Sequence, residues 1–280
     1  MVKLLKAEAI YDKFKNKFKR QIKSLPPLTL ASLVIGKDYS IGVYLLSQKK
    51  LADELGVNYL AVDLDSNISL QQAVDRIIQL NEDKKITAIV ANKPFPRDFA
   101  EEAIFSAINF KKDIEGMNPY NLGKLFMGEP IFISPTVLSV LEFIRMTKVD
   151  LYGKDVTIVG FSTLIGKPLA LLLGRQFATV SITHIATYER ERLPFYIKNA
   201  DIVISAVGKP NIIKGNWIKK GAIVIDVGIG EKDGKLAGDI EFAIAKDNAA
   251  FITPVPGGIG KLTSLFLFKN LIQAHQKYYE

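Results

Sequence analysis

Tyr44 and Gln48 stand four residues apart in a stretch, Ser40 to Leu55, whose apolar residues recur with helical period. Their side chains therefore share one helix face. Asn92-Lys93-Pro94-Phe95-Pro96 follows a predicted buried strand at its carboxyl end, and Lys112-Asp113-Ile114-Glu115-Gly116 brings a lysine and two carboxylates close together. Read singly, each is a cap or a surface feature; their shared placement between two α/β series points to a ligand cleft. Further along, Gly160 permits a tight exit from a strand, Ser162 can cap the incoming helix, and Gly166 lets helix and strand pack closely. Free N–H groups at such a turn favour a phosphate. The spacing Gly-x-Ser-x-x-x-Gly departs from the G-x-G-x-x-G fingerprint, so an ordinary β-turn-α junction explains that segment nearly as well. Val207-Gly208-Lys209-Pro210 and Asp226-Val227-Gly228-Ile229-Gly230 repeat the glycine turn after later strands, which raises the binding-site reading. Pro254-Val255-Pro256-Gly257-Gly258-Ile259-Gly260 reads as a rigid backbone platform beside a ligand.

The elements that must position these residues alternate along the chain. A first helix over Tyr11–Ile22 ends at Pro26-Pro27. Strands are predicted over Leu28–Ile35, Val57–Val62 and Ile86–Ala91, with helices over Ser40 to Leu55, Ser69–Leu80 and Phe99–Phe110. After a Gly-, Asn- and Pro-rich passage, a helix from Thr136 to Met146 leads into a second series. Its strands are Asp155–Val159, Thr179–Thr183, Asp201–Ala206, Ala222–Val227 and Ala250–Ile252, with a helix over Leu164–Arg175. This order predicts two α/β domains, the second a Rossmann-like dinucleotide-binding domain. The boundaries expected are 1–120 plus 262–280 for the first domain, the last helix packing back on it, and 121–261 for the second.

Composition narrows the classes further. The 280 residues are 48% hydrophobic and 24% charged, ordinary globular proportions that exclude disordered and collagenous chains. Zero cysteines remove disulfides, thiolate zinc and a cysteine nucleophile, and with two histidines, His184 and His275, no metal site is expected. No apolar run reaches the ~18 residues of a membrane span, and the N-terminal residues do not resemble a secretory signal, so a soluble cytoplasmic protein is expected. The net charge of +8 concentrates on the first helix, at Lys13, Lys15, Lys17, Lys19 and Arg20. Ile10, Phe14, Phe18 and Ile22 recur on its other side, so a solvated amphipathic face is preferred to a nucleic-acid patch.

The residues in order resemble a known family. Val34-Ile35-Gly36, Tyr44-Leu45-Leu46-Ser47, Pro94-Phe95-Pro96, Lys112 to Pro119 and Asn121-Leu122-Gly123 are followed by Ser134-Pro135 and Gly160 to Pro168. Ala206 to Pro210, Val224 to Gly228 and Thr253 to Gly260 complete the set. The whole chain resembles the bifunctional methylenetetrahydrofolate dehydrogenase/methenyltetrahydrofolate cyclohydrolase family. The resemblance implies a two-domain α/β homodimer with a folate cleft between the domains and a nicotinamide cofactor on the second. Tyr44 matches the family's active-site tyrosine and Glu115 the carboxylate that holds the pterin, where a two-acceptor fork meets two donors. Gly160, Ser162, Gly166, Gly208, Asp226 and Gly228 match cofactor-contacting turns, and Pro254, Pro256 and Gly257 match the loop lining the folate pocket.

Three positions depart from the pattern. The family's catalytic lysine is here Gln48, its glutamine partner is Asn92, and the pterin aspartate is lengthened to Glu115. Lys49 lies about 140° round the helix from Tyr44 and cannot simply substitute, while an extended chain turns Lys93 away from Asn92. Hydride transfer depends chiefly on alignment, whereas hydrolysis of the methenyl bridge needs a proton carrier that an amide is not. Dehydrogenase activity is therefore expected to survive better than cyclohydrolase activity; a non-catalytic folate- or nucleotide-binding relative is the alternative. NADP is the family's usual cofactor and NAD is also admitted. Phe161 and Ile185 replace residues that commonly grip a 2′-phosphate, and no acidic residue ends the Thr179–Thr183 strand to hold a free ribose diol.

Overall fold

The computed structural model describes residues 2–36 and 39–279, excluding the side chains of residues 39–41 and 43. The elements begin β1 (Lys3–Leu4), α1 (Glu8–Lys23), β2 (Thr29–Ile35), α2 (Tyr39–Leu55), β3 (Asn58–Leu64), α3 (Leu70–Glu82), β4 (Ala88–Asn92), α4 (Glu101–Ala107), α5 (Pro119–Phe126) and α6 (Pro135–Thr147). They continue β5 (Asp155–Val159), α7 (Gly166–Gly174), β6 (Thr179–Thr183), α8 (Ile185–Glu189), α9 (Leu193–Asn199), β7 (Ile202–Ser205) and β8 (Ile223–Asp226). A hairpin, β9 (Gly230–Lys232) and β10 (Lys235–Ala237), precedes α10 (Phe242–Asn248), β11 (Phe251–Ile252) and α11 (Ile259–Tyr278). The chain divides into two compact units, Asp12–Pro135 with Ser264–Glu280, and Met1–Tyr11 with Thr136–Thr263.

The first unit carries a parallel three-stranded sheet, β3-β2-β4. Leu30 to Ile35 are all buried, as expected of a central parallel strand covered on both faces. Ser32 is the polar exception in that run. α3 starts where its sequence signal says: Ser69 and Gln72 form a capping box, and Ala73, Ile77 and Leu80 face inward. α4 is shorter than the Phe99–Phe110 helix expected. The side chain of Asn81 donates to the Ala107 carbonyl (2.7 Å) and accepts from the Asn109 N–H (2.9 Å), so it takes over the backbone groups that a longer helix would use.

The second unit is a six-stranded sheet ordered β6-β5-β7-β8-β11-β1, parallel throughout. The chain leaves β5 for β6 on one side and returns to β7 on the other. Strand order therefore reverses at β5, where a Rossmann-type sheet opens its ligand crevice at the carboxyl ends. Hydrophobic residues of β7, β8, α9 and α10 form a buried core under this sheet.

The division of the chain differs from the expected boundaries at both seams. The sequence offered no strand before α1, yet Lys3 and Leu4 pair with Phe251 and Ile252 at the sheet edge, which puts residues 1–11 in the second unit. Residues 121–135, expected in the second domain, belong to the first. Asn121 donates to Phe110 O (2.9 Å) and Asp113 Oδ2 (2.8 Å) there. Asn270 and Gln273 bind the carbonyls of Ile133 and Ile131.

Candidate active site and nucleotide-binding turns

Tyr44 and Gln48 lie one turn apart on α2, and Gln48 is fully buried against the first unit's sheet. Its Oε1 accepts from the hydroxyls of Ser32 on β2 and Tyr59 on β3, both at 3.3 Å. Its Nε2 donates to Asn92 Oδ1 at the end of β4 (3.5 Å). Asn92 in turn donates to Ser32 Oγ (2.9 Å) and to the Leu33 carbonyl (3.0 Å). Gln48 and Asn92 thus form a closed, neutral network with Ser32 and Tyr59. Both ends of the Gln48 amide are occupied, and nothing in the network titrates near neutrality. Sequence reasoning missed Ser32 and Tyr59; the signal available for Ser32 is a polar residue inside the otherwise apolar run Leu30 to Ile35.

Tyr44 is half-buried, hydrogen-bonded to Gln48 and Ser264, and its phenol is pushed up to about 12 by burial and then by the neighbouring Glu115. Glu115 is half-buried, and its carboxyl is pushed up to about 8 by burial, then by Asp113, with Lys93 opposing. At pH 7 the group is therefore mainly protonated in the free protein.

Lys112, Asp113 and Glu115 divide into support and site. The ammonium of buried Lys112 donates to the carbonyls of Leu80 (3.2 Å), Asn81 (2.7 Å) and Asp83 (2.8 Å), capping the end of α3. Asp113 is buried and accepts from Asn118 N (2.7 Å) and Asn121 Nδ2 (2.8 Å). Gly116 turns the loop at φ +72, where a Cβ would lie 2.8 Å from the Phe132 carbonyl oxygen. This frame leaves Glu115 as the acid that the loop presents. Lys93 is paired with Glu101 at 2.6 Å, on the exposed side.

In the second unit the three glycine turns sit on adjacent strands. Register pairs Val159 with Ser205 and Ser205 with Asp226, so Gly160, Gly208 and Gly228 follow neighbouring strand ends. At about 4.8 Å between strands they span roughly 10 Å. Gly160 (φ +123) has no room for a side chain, since a Cβ would lie 2.6 Å from Ala206 O. One on Gly166 would lie 2.0 Å from Gly160 O. α7 opens at Gly166, two residues later than the helix expected from Leu164, with Ser162 ahead of it. The Ser162 hydroxyl accepts from Ile165 N (3.2 Å) and Gly166 N (3.5 Å).

Asp226 faces inward. Its carboxylate accepts from Asp239 N (3.1 Å) and Ile240 N (3.0 Å), and burial pushes it up to about 7. Asp239, which sequence reasoning did not single out, extends the arrangement to the segment after β7: it accepts from Ser205 Oγ (2.7 Å), Val207 N (2.7 Å) and Lys209 N (2.8 Å). A Cβ on Gly228 would strike the Asp239 carboxylate. Pro254, Pro256 and Gly257 line a cavity of about 200 Å³ with Asp226, Ile229 and Lys261. Gly257 (φ +104) accepts from the Ala7 N–H at 3.1 Å.

A parallel sheet reversing at β5, with three glycine turns at its carboxyl ends, defines a dinucleotide-binding α/β protein that carries a second α/β unit of similar length. Residues 5–115 match "Tetrahydrofolate dehydrogenase/cyclohydrolase, catalytic domain", and residues 134–279 match "Tetrahydrofolate dehydrogenase/cyclohydrolase, NAD(P)-binding domain". The chain belongs to the tetrahydrofolate dehydrogenase/cyclohydrolase family and is an enzyme of that family. It is 38% identical to the bifunctional protein FolD of Acetivibrio thermocellus over 97% of this chain and 96% of that one. The structure is similar to the FolD methylenetetrahydrofolate dehydrogenase/cyclohydrolase of Campylobacter jejuni, with a TM-score of 0.94, 32% identity and 99% of both chains covered. The Trypanosoma brucei FolD, solved with NADP and an inhibitor, gives a TM-score of 0.93 at 31% identity, covering 100% of this chain and 99% of that one.

Proposed function

We propose that this enzyme oxidises methylenetetrahydrofolate to methenyltetrahydrofolate with NADP, NAD being the lesser substrate, and that its hydrolysis of the methenyl bridge is weak. The observation that carries this reading is the neutral Ser32–Gln48–Tyr59–Asn92 network. Oxidation transfers one hydride, a proton with two electrons, from the methylene carbon to the nicotinamide ring and leaves the folate cationic; it needs no protein acid. Tyr44 orients the folate and Glu115 holds the pterin N–H groups, giving up its proton as those donors arrive. Hydrolysis adds water to the methenyl carbon and must release a proton, and a hydrogen-bonded amide does not shuttle one.

The turns at Gly160, Ser162, Gly166, Gly208 and Gly228 fit a dinucleotide, because a Cβ at Gly160, Gly166 or Gly228 would strike neighbouring atoms and the bare backbone there lets a ligand approach closely. When bound, the nicotinamide supplies the hydride acceptor. Asp226 serves that site by bracing the loop at residues 239 and 240. Pro254, Pro256 and Gly257 are assigned to folate on the residue pattern, supported by the rigidity of their turn. The protein acts as a cytoplasmic homodimer without a nucleic-acid partner. Lys15 on the basic helix is paired with Glu54, which suits a solvated face.

The test is a steady-state assay of methylenetetrahydrofolate oxidation with each nicotinamide, run beside hydrolysis of preformed methenyltetrahydrofolate. Reduction of NADP with slow hydrolysis is expected. Reduction of neither cofactor would leave a binding protein, and hydrolysis as fast as oxidation would overturn the role given to the amide network.

A further inference from the structure

NADP differs from NAD by one phosphate on the adenosine 2′-oxygen, and Rossmann-type sheets meet that position where the first two strands end. A carboxylate there accepts from a free 2′-hydroxyl, and a cation takes a 2′-phosphate. In this protein those strands are β5 and β6. Gly160 N donates to Thr183 O (2.9 Å), and just past that bond the Phe161 and His184 rings approach to 6.4 Å between centroids. No Asp or Glu occurs within residues 160–168 or 180–188. A free ribose diol would therefore meet no carboxylate from either turn.

The cation in this corner comes from α7. Lys167 sits on its first turn, and its ammonium lies 4.8 Å from the centre of the Phe161 ring and 3.4 Å from Thr163 Oγ1. A cation over an aromatic face is held without being neutralised, so its charge stays available to an anion. The Phe161 ring is itself 54% exposed, which leaves the corner open. Ammonium, Thr163 hydroxyl and ring together offer a charge and a second donor on an apolar floor, at the ends of the two strands that fix the adenosine ribose.

We propose that Lys167, steered by Phe161 and assisted by Thr163, is the residue that selects a 2′-phosphorylated adenine nucleotide. The proposal rests on the reading of the second unit as the cofactor-binding one. It also explains how a chain with phenylalanine after the strand's glycine, and isoleucine after the histidine, can still prefer NADP: the charge arrives from one helical turn later.

Binding measures this without turnover. Calorimetric titration of the full chain with adenosine 2′,5′-bisphosphate and with adenosine 5′-monophosphate isolates the contribution of the 2′-phosphate. The parent is expected to bind the bisphosphate ~10-fold or more tightly than the monophosphate, the scale of one charge-assisted contact. Lys167→Met should bring the two within about 2-fold by weakening the bisphosphate alone, and Lys167→Arg should keep the preference. Phe161→Ala should weaken bisphosphate binding part of the way, by releasing the lysine. A parent without preference, or a Lys167→Met protein that keeps it, would overturn the proposal. Failure of the functional reading looks different: the bisphosphate would bind with this preference while methylenetetrahydrofolate reduced neither NADP nor NAD.

Discussion

Replacing Gln48 with lysine tests the chemistry of the first unit most directly. Lysine is one carbon longer, so its nitrogen would reach about 1.5 Å beyond the present amide nitrogen. Three oxygens already border the Gln48 amide: Ser32 Oγ and Tyr59 OH at 3.3 Å from Oε1, and Asn92 Oδ1 at 3.5 Å from Nε2. An ammonium has three N–H donors, so each finds an acceptor once the Ser32 and Tyr59 hydroxyls rotate. Burying the charge costs several kcal/mol, and three charge-assisted bonds at ~1.5–3 kcal/mol each offset it. The Gln48→Lys protein should therefore fold, with its new lysine titrating below the ordinary range because of burial. Hydrolysis of preformed methenyltetrahydrofolate, followed by loss of its chromophore, is expected to rise by ~100-fold or more. NADP reduction in the same preparation should change by only a few-fold. Asn92 is one methylene shorter than glutamine, so Asn92→Gln should help the lysine variant more than it helps the parent. The reasoning fails if Gln48→Lys keeps its thermal midpoint and its NADP reduction yet hydrolyses at the parental rate. It fails differently if the parent hydrolyses briskly and Lys93→Ala stops it, since Lys93 would then be the proton carrier.

Glu115→Gln should weaken folate binding by ~10-fold or more, the scale of a lost charge-assisted bond, measured by calorimetry. In the parent, folate affinity should rise with pH through about 8 as Glu115 ionises, and this dependence should vanish in the variant. Because the folded-state carboxyl is raised from 4.5 to about 8, ionising it opposes folding; the thermal midpoint of Glu115→Gln should gain on the parent from pH 5 to pH 8. Gly160→Ala, at φ +123 and 2.6 Å from Ala206 O, should lose NADP binding or fail to fold, read by titration and circular dichroism. Asp239→Asn turns an N–H₂ toward groups that already donate; a stability loss of ~1–3 kcal/mol in urea unfolding and a raised KM for NADP are expected.

What the sequence made legible was whatever repeats or is forced locally. The apolar run of β2, the stretch forming α3 and the glycine turns are all signals carried within a few residues, and the i,i+4 spacing of Tyr44 and Gln48 placed both on one face. α8, α9 and α10 span five to seven residues each, too few to display a helical period. β1 offers two residues and exists only because β11 leaves an edge to pair with. The β9–β10 hairpin carried an Asp233-Gly234 signal, and both residues adopt the positive φ that such a turn needs. Its strands contain Glu231, Lys232 and Lys235, so no apolar alternation announced them. The same distinction governs the site. Ser32 and Asn92 meet across 60 residues of chain, and Asp239 reaches back 30 to 34 residues to its donors, distances at which no local pattern operates.

The serial bracing of two loops through Asp226 and Asp239 has a dynamic consequence. The amides of Val207 and Lys209 are held by one carboxylate, and those of Asp239 and Ile240 by the other. The 207–209 loop cannot peel away without stripping donors from buried Asp239, and the 239–240 segment cannot leave without abandoning Asp226 and carrying Asp239 away from Val207 and Lys209. Small fluctuations of one loop alone are therefore suppressed, and the segments around 207–209 and 238–240 should open as a single cooperative block. In hydrogen exchange these four amides would share one opening free energy despite standing some thirty residues apart. The nucleotide would then meet a crevice whose two rims are either both closed or both released, so that ordering one rim on binding orders the other at no additional entropic cost.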